Sequence, residues 1–242
     1  MSKCYAQSLG GCSSTMSREH VFTKSVFGTG GLIGMEGFAQ IPDSMISLNS
    51  AAAKVLCKSH NEQLSELDSE AKRLSDGISQ FHVSDTDASI RIDGKKLERW
   101  LLKVAIGYGA AGFTSLGKLQ PSDNLVRMLY GLSPIQSPLG LHSFVPVSRT
   151  QEHLKEVLFR ALTANIETMG ERVVGVFVAL HGAPLLFSLS DIPMQAFLVR
   201  PDGSSYLDPY DTRTAATRYR PNEIMLTRYD PVRRLTILFD WT

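Results

Sequence analysis

The sequence predicts an α+β fold in two parts: a small metal-held module over residues 1–80, then a domain over residues 81–242 with helices packed on an antiparallel sheet. Three observations carry this expectation. All three cysteines, Cys4, Cys12 and Cys57, fall in the first quarter of the chain, and His60 stands beside the last of them. Residues 1–61 are rich in Gly and Ser, so that segment has little with which to build a core. Beyond it, stretches with helical spacing give way from Arg172 onward to runs of β-branched and aromatic residues.

Taken in order, Glu19-His20 precede Val21-Phe22 and read as the opening of a short strand. The glycine-rich stretch from Gly28 to Gly37 is incompatible with regular helix. Leu64, Leu67, Ala71 and Leu74 recur at helical spacing and predict a helix from Asn61 to about Ser75. The polar segment His82 to Ala88 interrupts it, and a strand follows over Ser89 to Ile92. A second helix begins near Lys95 and runs through Leu97 to Gly112. Its Trp100, Leu101, Val104, Ala105 and Tyr108, with Gly107, Gly109 and Gly112, mark a packing helix rather than a site. Asp123 to Tyr130 predicts a shorter amphipathic helix. A longer one is expected over Thr150 to Met169, with Leu154, Val157, Leu158, Leu162 and Ile166 as its apolar face. Strands are expected at Arg172 to Leu180, Leu185 to Leu189, Gln195 to Val199 and Leu235 to Phe239, with His181-Gly182 turning the first of them. No internal repeat is visible.

A chain of 242 residues, 43% of them hydrophobic, suits one large domain or a module joined to a bigger one. No stretch approaches the roughly 18 uninterrupted apolar residues of a membrane span. The N-terminus also lacks the apolar core of a signal peptide, so a cytoplasmic location and no membrane contact are expected. An odd number of clustered cysteines argues against a disulfide framework and for metal ligation or free thiols. With a net charge of +1 the chain has no overall attraction for nucleic acid, and any basic surface must be local.

A structural zinc site takes four thiolate or imidazole ligands in a tetrahedron, commonly as two sequence-local pairs. Cys57-x2-His60 has the spacing of such a pair. Cys4-x7-Cys12 is looser, and a turn at Gly10-Gly11 is needed to bring Cys12 back beside Cys4. Metal binding supplies an apparent 10 to 16 kcal/mol, roughly, in small zinc modules, enough to fold a segment that buries little apolar area. The alternative is three buried reduced cysteines beside an unrelated histidine.

Together, Cys4, Cys12, Glu19-His20-Val21, Cys57 and His60-Asn61 resemble the zinc-ribbon subset of the HNH endonucleases, whose nuclease centre is a ββα-metal fold. The likeness covers residues 1 to about 75. It implies structural Zn²⁺ on Cys4, Cys12, Cys57 and His60. His20 would be the general base that activates water, with Glu19 and Asn61 holding a catalytic Mg²⁺ or Mn²⁺ on the scissile phosphate. That chemistry is sound in its own right, because an imidazole with a pKa of about 6.5 accepts a proton at neutral pH. Carboxylate and amide oxygens suit a hard divalent ion, whereas thiolates suit zinc, so the two ligand sets are distinct.

Asn49 is the candidate for the loop asparagine that family members carry before the second zinc pair. Asp68, seven residues after Asn61, falls on the same helix face. It reads as an acid supporting the site, an extra metal ligand or a solvated surface charge. An ordinary polar strand end is the plain alternative for Glu19-His20. Between Arg200 and Arg234, seven arginines and four tyrosines alternate with five carboxylates. Arg213, Arg218 and Arg220 are the nucleic-acid candidates there, through phosphate contact and base stacking, against surface ion pairs as the alternative.

The resemblance thus implies a DNA endonuclease, with restriction or antiphage defence as its setting. Two other classes remain: a noncatalytic zinc module that binds nucleic acid or protein, and an interaction protein whose larger domain binds a protein partner or a second copy of the chain.

Overall fold

The structure is a computed structural model describing residues 4–27, 32–36, 44–47, 51–114, 117–145, 158–166, 170–190, 216–229 and 232–242. Its elements run in chain order β1 (Met16–His20), α1 (Lys24–Phe27), β2 (Leu32–Glu36), β3 (Ser44–Ser47), β4 (Ala52–Cys57), α2 (Lys58–Glu62), α3 (Ser65–Val83) and β5 (Ala88–Asp93). They continue with α4 (Gly94–Ala111), α5 (Asp123–Leu129), β6 (Gly140–Val145), β7 (Leu158–Ile166), β8 (Gly170–Leu180), β9 (Ala183–Ser188), β10 (Ala216–Tyr219), β11 (Glu223–Tyr229) and β12 (Val232–Asp240). The fold is mixed α+β, as expected. Among the described residues no helix is long and apolar enough to cross a membrane.

Three sheets organise these strands. β1 and β4 form an antiparallel pair, and β11-β12-β5 form a three-stranded sheet in which β12 and β5 run parallel. The seven-stranded sheet has the order β10-β6-β9-β8-β7-β2-β3 and is antiparallel except where β2 meets β7. All six residues of β9 are buried, as are Val174 to Leu180 of β8, so these apolar runs lie in the middle of the molecule. In β12 Leu235, Ile237 and Phe239 are buried and their neighbours are not, the period of a strand covered on one face.

Helix α4 is the hub. Asp93 caps its start by accepting from the Lys96 amide at 3.0 Å. Gly112, at φ 78°, ends it in the left-handed conformation that glycine adopts without strain. Every residue from Trp100 to Ala110 is buried, and the helix touches α3, α5, β4, β5, β6, β8, β9 and β12. The amphipathic α3 lays Leu67, Ala71, Leu74, Ile78 and Phe81 into this core.

Several expectations change. The helix predicted over Thr150 to Met169 is, where described, the strand β7, hydrogen-bonded to β8 along its length. Its apolar residues look helical because the register shifts between Leu162 and Thr163, which breaks the period of two. Pairing with β8, a match invisible to local spacing, decides the outcome. Glu19 and His20 close a strand rather than open one. The boundary expected between residues 80 and 81 falls inside α3, and packing is continuous across it. β2 pairs with β7, and one hydrophobic cluster runs from Cys4 to Phe239. The expected strand at Gln195 to Val199 lies outside the described residues, as do Asn49 and Arg213.

Candidate metal centre and its surroundings

Cys4 and Cys12 are brought together by a tight reversal. The Tyr5 amide donates to the Val55 carbonyl at 3.0 Å, so the N-terminal segment is tied to β4. A 3₁₀ turn over Gln7–Leu9 follows, and Gly10 and Gly11, at φ 76° and 66°, turn the chain back through a conformation that side-chain-bearing residues avoid. Cys57 ends β4 and caps α2, which places His60 one turn away on the same side. The Lys58 amide donates to Thr15 O at 2.9 Å and the Ser59 amide to Ser13 Oγ at 3.3 Å, which lock the returning loop onto the start of α2.

The four ligand atoms lie within 4.8 Å of one another, and the group can hold one metal ion. His60 Nδ1 is 3.4 Å from Cys4 Sγ, 3.5 Å from Cys12 Sγ and 3.3 Å from Cys57 Sγ. A tetrahedral zinc with ordinary bond lengths separates sulfur from nitrogen by about 3.5 Å, so the donor set fits zinc in kind and spacing. Cys4, Cys57 and His60 are buried, while Cys12 is exposed. Tyr130 donates its hydroxyl to the His60 carbonyl at 3.0 Å and sets its ring edge-on to the imidazole at 5.5 Å. Without a metal the thiols compete for one negative charge. Burial raises Cys4; although Cys12 is exposed as a residue, loss of water around its sulfur together with the neighbouring Cys4 and Cys57 sulfurs pushes its thiol up to about 12. Burial also works against the Cys57 thiolate, but backbone hydrogen bonds at His60 and Ser13 outweigh it and bring Cys57 down to about 6.

The backbone sets Glu19 opposite Ala53 and His20 opposite Ala52, at the end of β1, with a register shift between Ser17 and Glu19. Earlier on β1, before the register shift, Ser17 Oγ accepts from Asn61 Nδ2 at 3.0 Å, which holds the side chain of Asn61 against that strand. Asp68 is neither an isolated surface charge nor turned to the metal cluster. Its carboxylate accepts from Lys103 Nζ at 3.0 and 2.9 Å and from Thr23 Oγ1 at 2.6 Å. Lys103 is itself buried, and the Asp68 carboxylate is the partner its charge needs there.

The C-terminal arginines divide. Arg218 sits on β10 opposite Ser143. Arg220 is not displayed for nucleic acid. Its Nε and Nη2 donate to the buried Glu98 at 3.1 and 2.6 Å, Nη2 also reaches Ile135 O at 2.8 Å, and its guanidinium lies over the Trp241 ring. The charge is used inside the fold, to neutralise a carboxylate that α4 buries. Glu98 also accepts from the Leu141 amide at 3.0 Å, so the same contact ties β6 to α4.

Comparison with known proteins finds no matching protein-family model, no matching curated protein and no matching solved structure.

Proposed function

We propose that this chain is a divalent-metal-dependent endonuclease of the HNH type that hydrolyses DNA phosphodiester bonds. One arrangement carries the reading: β1, which ends on Glu19-His20, pairs antiparallel with β4, and β4 passes through Cys57 directly into the helix that bears His60 and Asn61. The pair β1-β4 followed by α2 is a strand, strand and helix unit of the kind the resemblance implies, with α1, β2 and β3 inserted between its two strands, a ligand cluster fit for structural zinc at its corner and Asn61 bonded back to β1.

In the proposed reaction His20 takes a proton from a water molecule as the water oxygen bonds to phosphorus. The bond from phosphorus to the leaving sugar oxygen breaks, and that oxygen is protonated from solvent. Glu19 and Asn61 would hold a Mg²⁺ or Mn²⁺ ion, which would supply charge neutralisation at the scissile phosphate. Ser17 takes the Asn61 amide nitrogen, and the amide oxygen is the atom a hard cation prefers. Because His60 and Asn61 are neighbours on α2, closing the zinc cluster also fixes the turn that presents Asn61.

The test is plasmid nicking with Mg²⁺ or Mn²⁺ by the zinc-loaded protein and by His20→Ala. The variant is expected to lose about 10²- to 10⁴-fold in rate while keeping its zinc and melting temperature. Equal nicking by both proteins removes His20 from the mechanism. No nicking by either favours the noncatalytic zinc module, in which the same corner serves binding alone.

A further inference from the structure

A partly buried hydrogen-bonded group follows β1 and contributes none of the four candidate metal ligands. Thr23 comes three residues after His20, beyond Val21 and Phe22, both of which are buried. Its Oγ1 donates to Asp68 Oδ1 at 2.6 Å and accepts from Trp100 Nε1 at 3.2 Å. A hydroxyl is the smallest side-chain group that donates and accepts at once, so serine can replace this threonine and valine cannot. Lys103 Nζ donates to both oxygens of the Asp68 carboxylate, and both Lys103 and Trp100 are buried. Seven residues after Asp68, on the same face of α3, Ser75 Oγ donates to the Val26 carbonyl at 2.6 Å. Helix α3 therefore grips the segment that follows β1 at two points, Thr23 and Val26. On the other side the Val21 amide is fixed to Ala51 O at 3.0 Å.

We infer that Thr23 is a positioning residue for His20: clamped between Asp68 and Trp100, it sets the backbone at the end of β1 from which the base projects. The inference rests on the nuclease reading and extends it, since it draws α4, a helix outside the region of resemblance, into the site. It also assigns Asp68 a role that needs no contact with metal or water. Asp68 holds Thr23, and Thr23 holds the strand end. Displacing a catalytic group by about 1 Å costs on the order of 10²-fold in rate.

The experiment compares Thr23→Val, Thr23→Ser and Trp100→Phe with wild type in the full zinc-loaded protein. It measures kcat and KM for plasmid nicking, zinc content and melting temperature. Thr23→Val is expected to lower kcat by about 10- to 100-fold with KM and zinc content unchanged. Thr23→Ser restores the wild-type rate. Trp100→Phe keeps an aromatic ring but removes the N–H together with the pyrrole part of the buried indole; it supplies the reading if Thr23→Val does not fold, and it is expected to lower kcat in the same sense with KM and zinc content unchanged. Wild-type kcat in Thr23→Val, or in Trp100→Phe where that variant supplies the reading, overturns the inference and leaves the nuclease reading standing. A loss that follows melting temperature or zinc content, or that serine does not rescue, assigns Thr23 to folding alone and overturns it as well. Absence of nicking by wild type overturns the nuclease reading first, and the positioning role with it.

Discussion

Around Cys57 and His60 the chain is held by a few directional contacts, whereas around α4 it is held by close packing on all sides. The first region closes on four ligand atoms, two left-handed glycines and a handful of backbone hydrogen bonds. The second buries Trp100 through Ala110 without a break, in a helix that touches strands from all three sheets. Directional contacts can be few because each fixes a geometry, but losing one undoes the rest. Burial is shared among many side chains, so a single loss there is graded. The proposed nuclease site, which would need an asparagine and a histidine at fixed positions, would draw on the first kind of region and be backed by the second.

Metal removal is the strongest way to break this comparison, since binding in small zinc modules supplies an apparent 10 kcal/mol or roughly that. Chelation of the zinc-loaded protein, or Cys57→Ser, is expected to speed hydrogen exchange over residues 4–15 and 57–62 while the amides of α4 stay protected. A uniform rise across α4 as well means that the metal corner and the core unfold as one unit. Next in size, Leu101→Ala, at a fully buried position of α4, is expected to cost about 3 kcal/mol in denaturant melts, yet the folded variant still binds one zinc. Loss of zinc stoichiometry in the folded variant would show that the core dictates the ligand geometry. The smallest effect belongs to the exposed Lys72–Asp76 pair on α3, where Lys72→Ala is expected to change stability by about 0.5 kcal/mol or less. A larger value measured in the same melts would mean that α3 relies on its outer face as well as its buried one.

Much of the metal corner was readable because its chemistry is local. Cys57-x2-His60 is set by one turn of α2, and Gly10-Gly11 announced the reversal that returns Cys12. The helices α3, α4 and α5 follow from their own spacing and caps. β7 did not, because the shift between Leu162 and Thr163 hides its alternation. Nor did the partners of Asp68 and Arg220, which come from Lys103 on the next long helix and from Glu98 far back along the chain. Each carries a charge that reads as a surface feature until the buried residue it neutralises is located.

By itself the sequence determined the candidate ligand cluster Cys4, Cys12, Cys57 and His60, the α+β class, and the apolar faces of the long helices. These depend on residue type and on spacings within a turn or two, which short-range geometry converts directly into structure. Tertiary structure alone decided that residues 158–166 pair with β8, that the first eighty residues share the core of the rest, and that Asp68 holds Thr23 and Lys103. Those outcomes are pairings between distant segments, and whether a strand edge or a buried charge finds its partner depends on where the whole fold brings the other half.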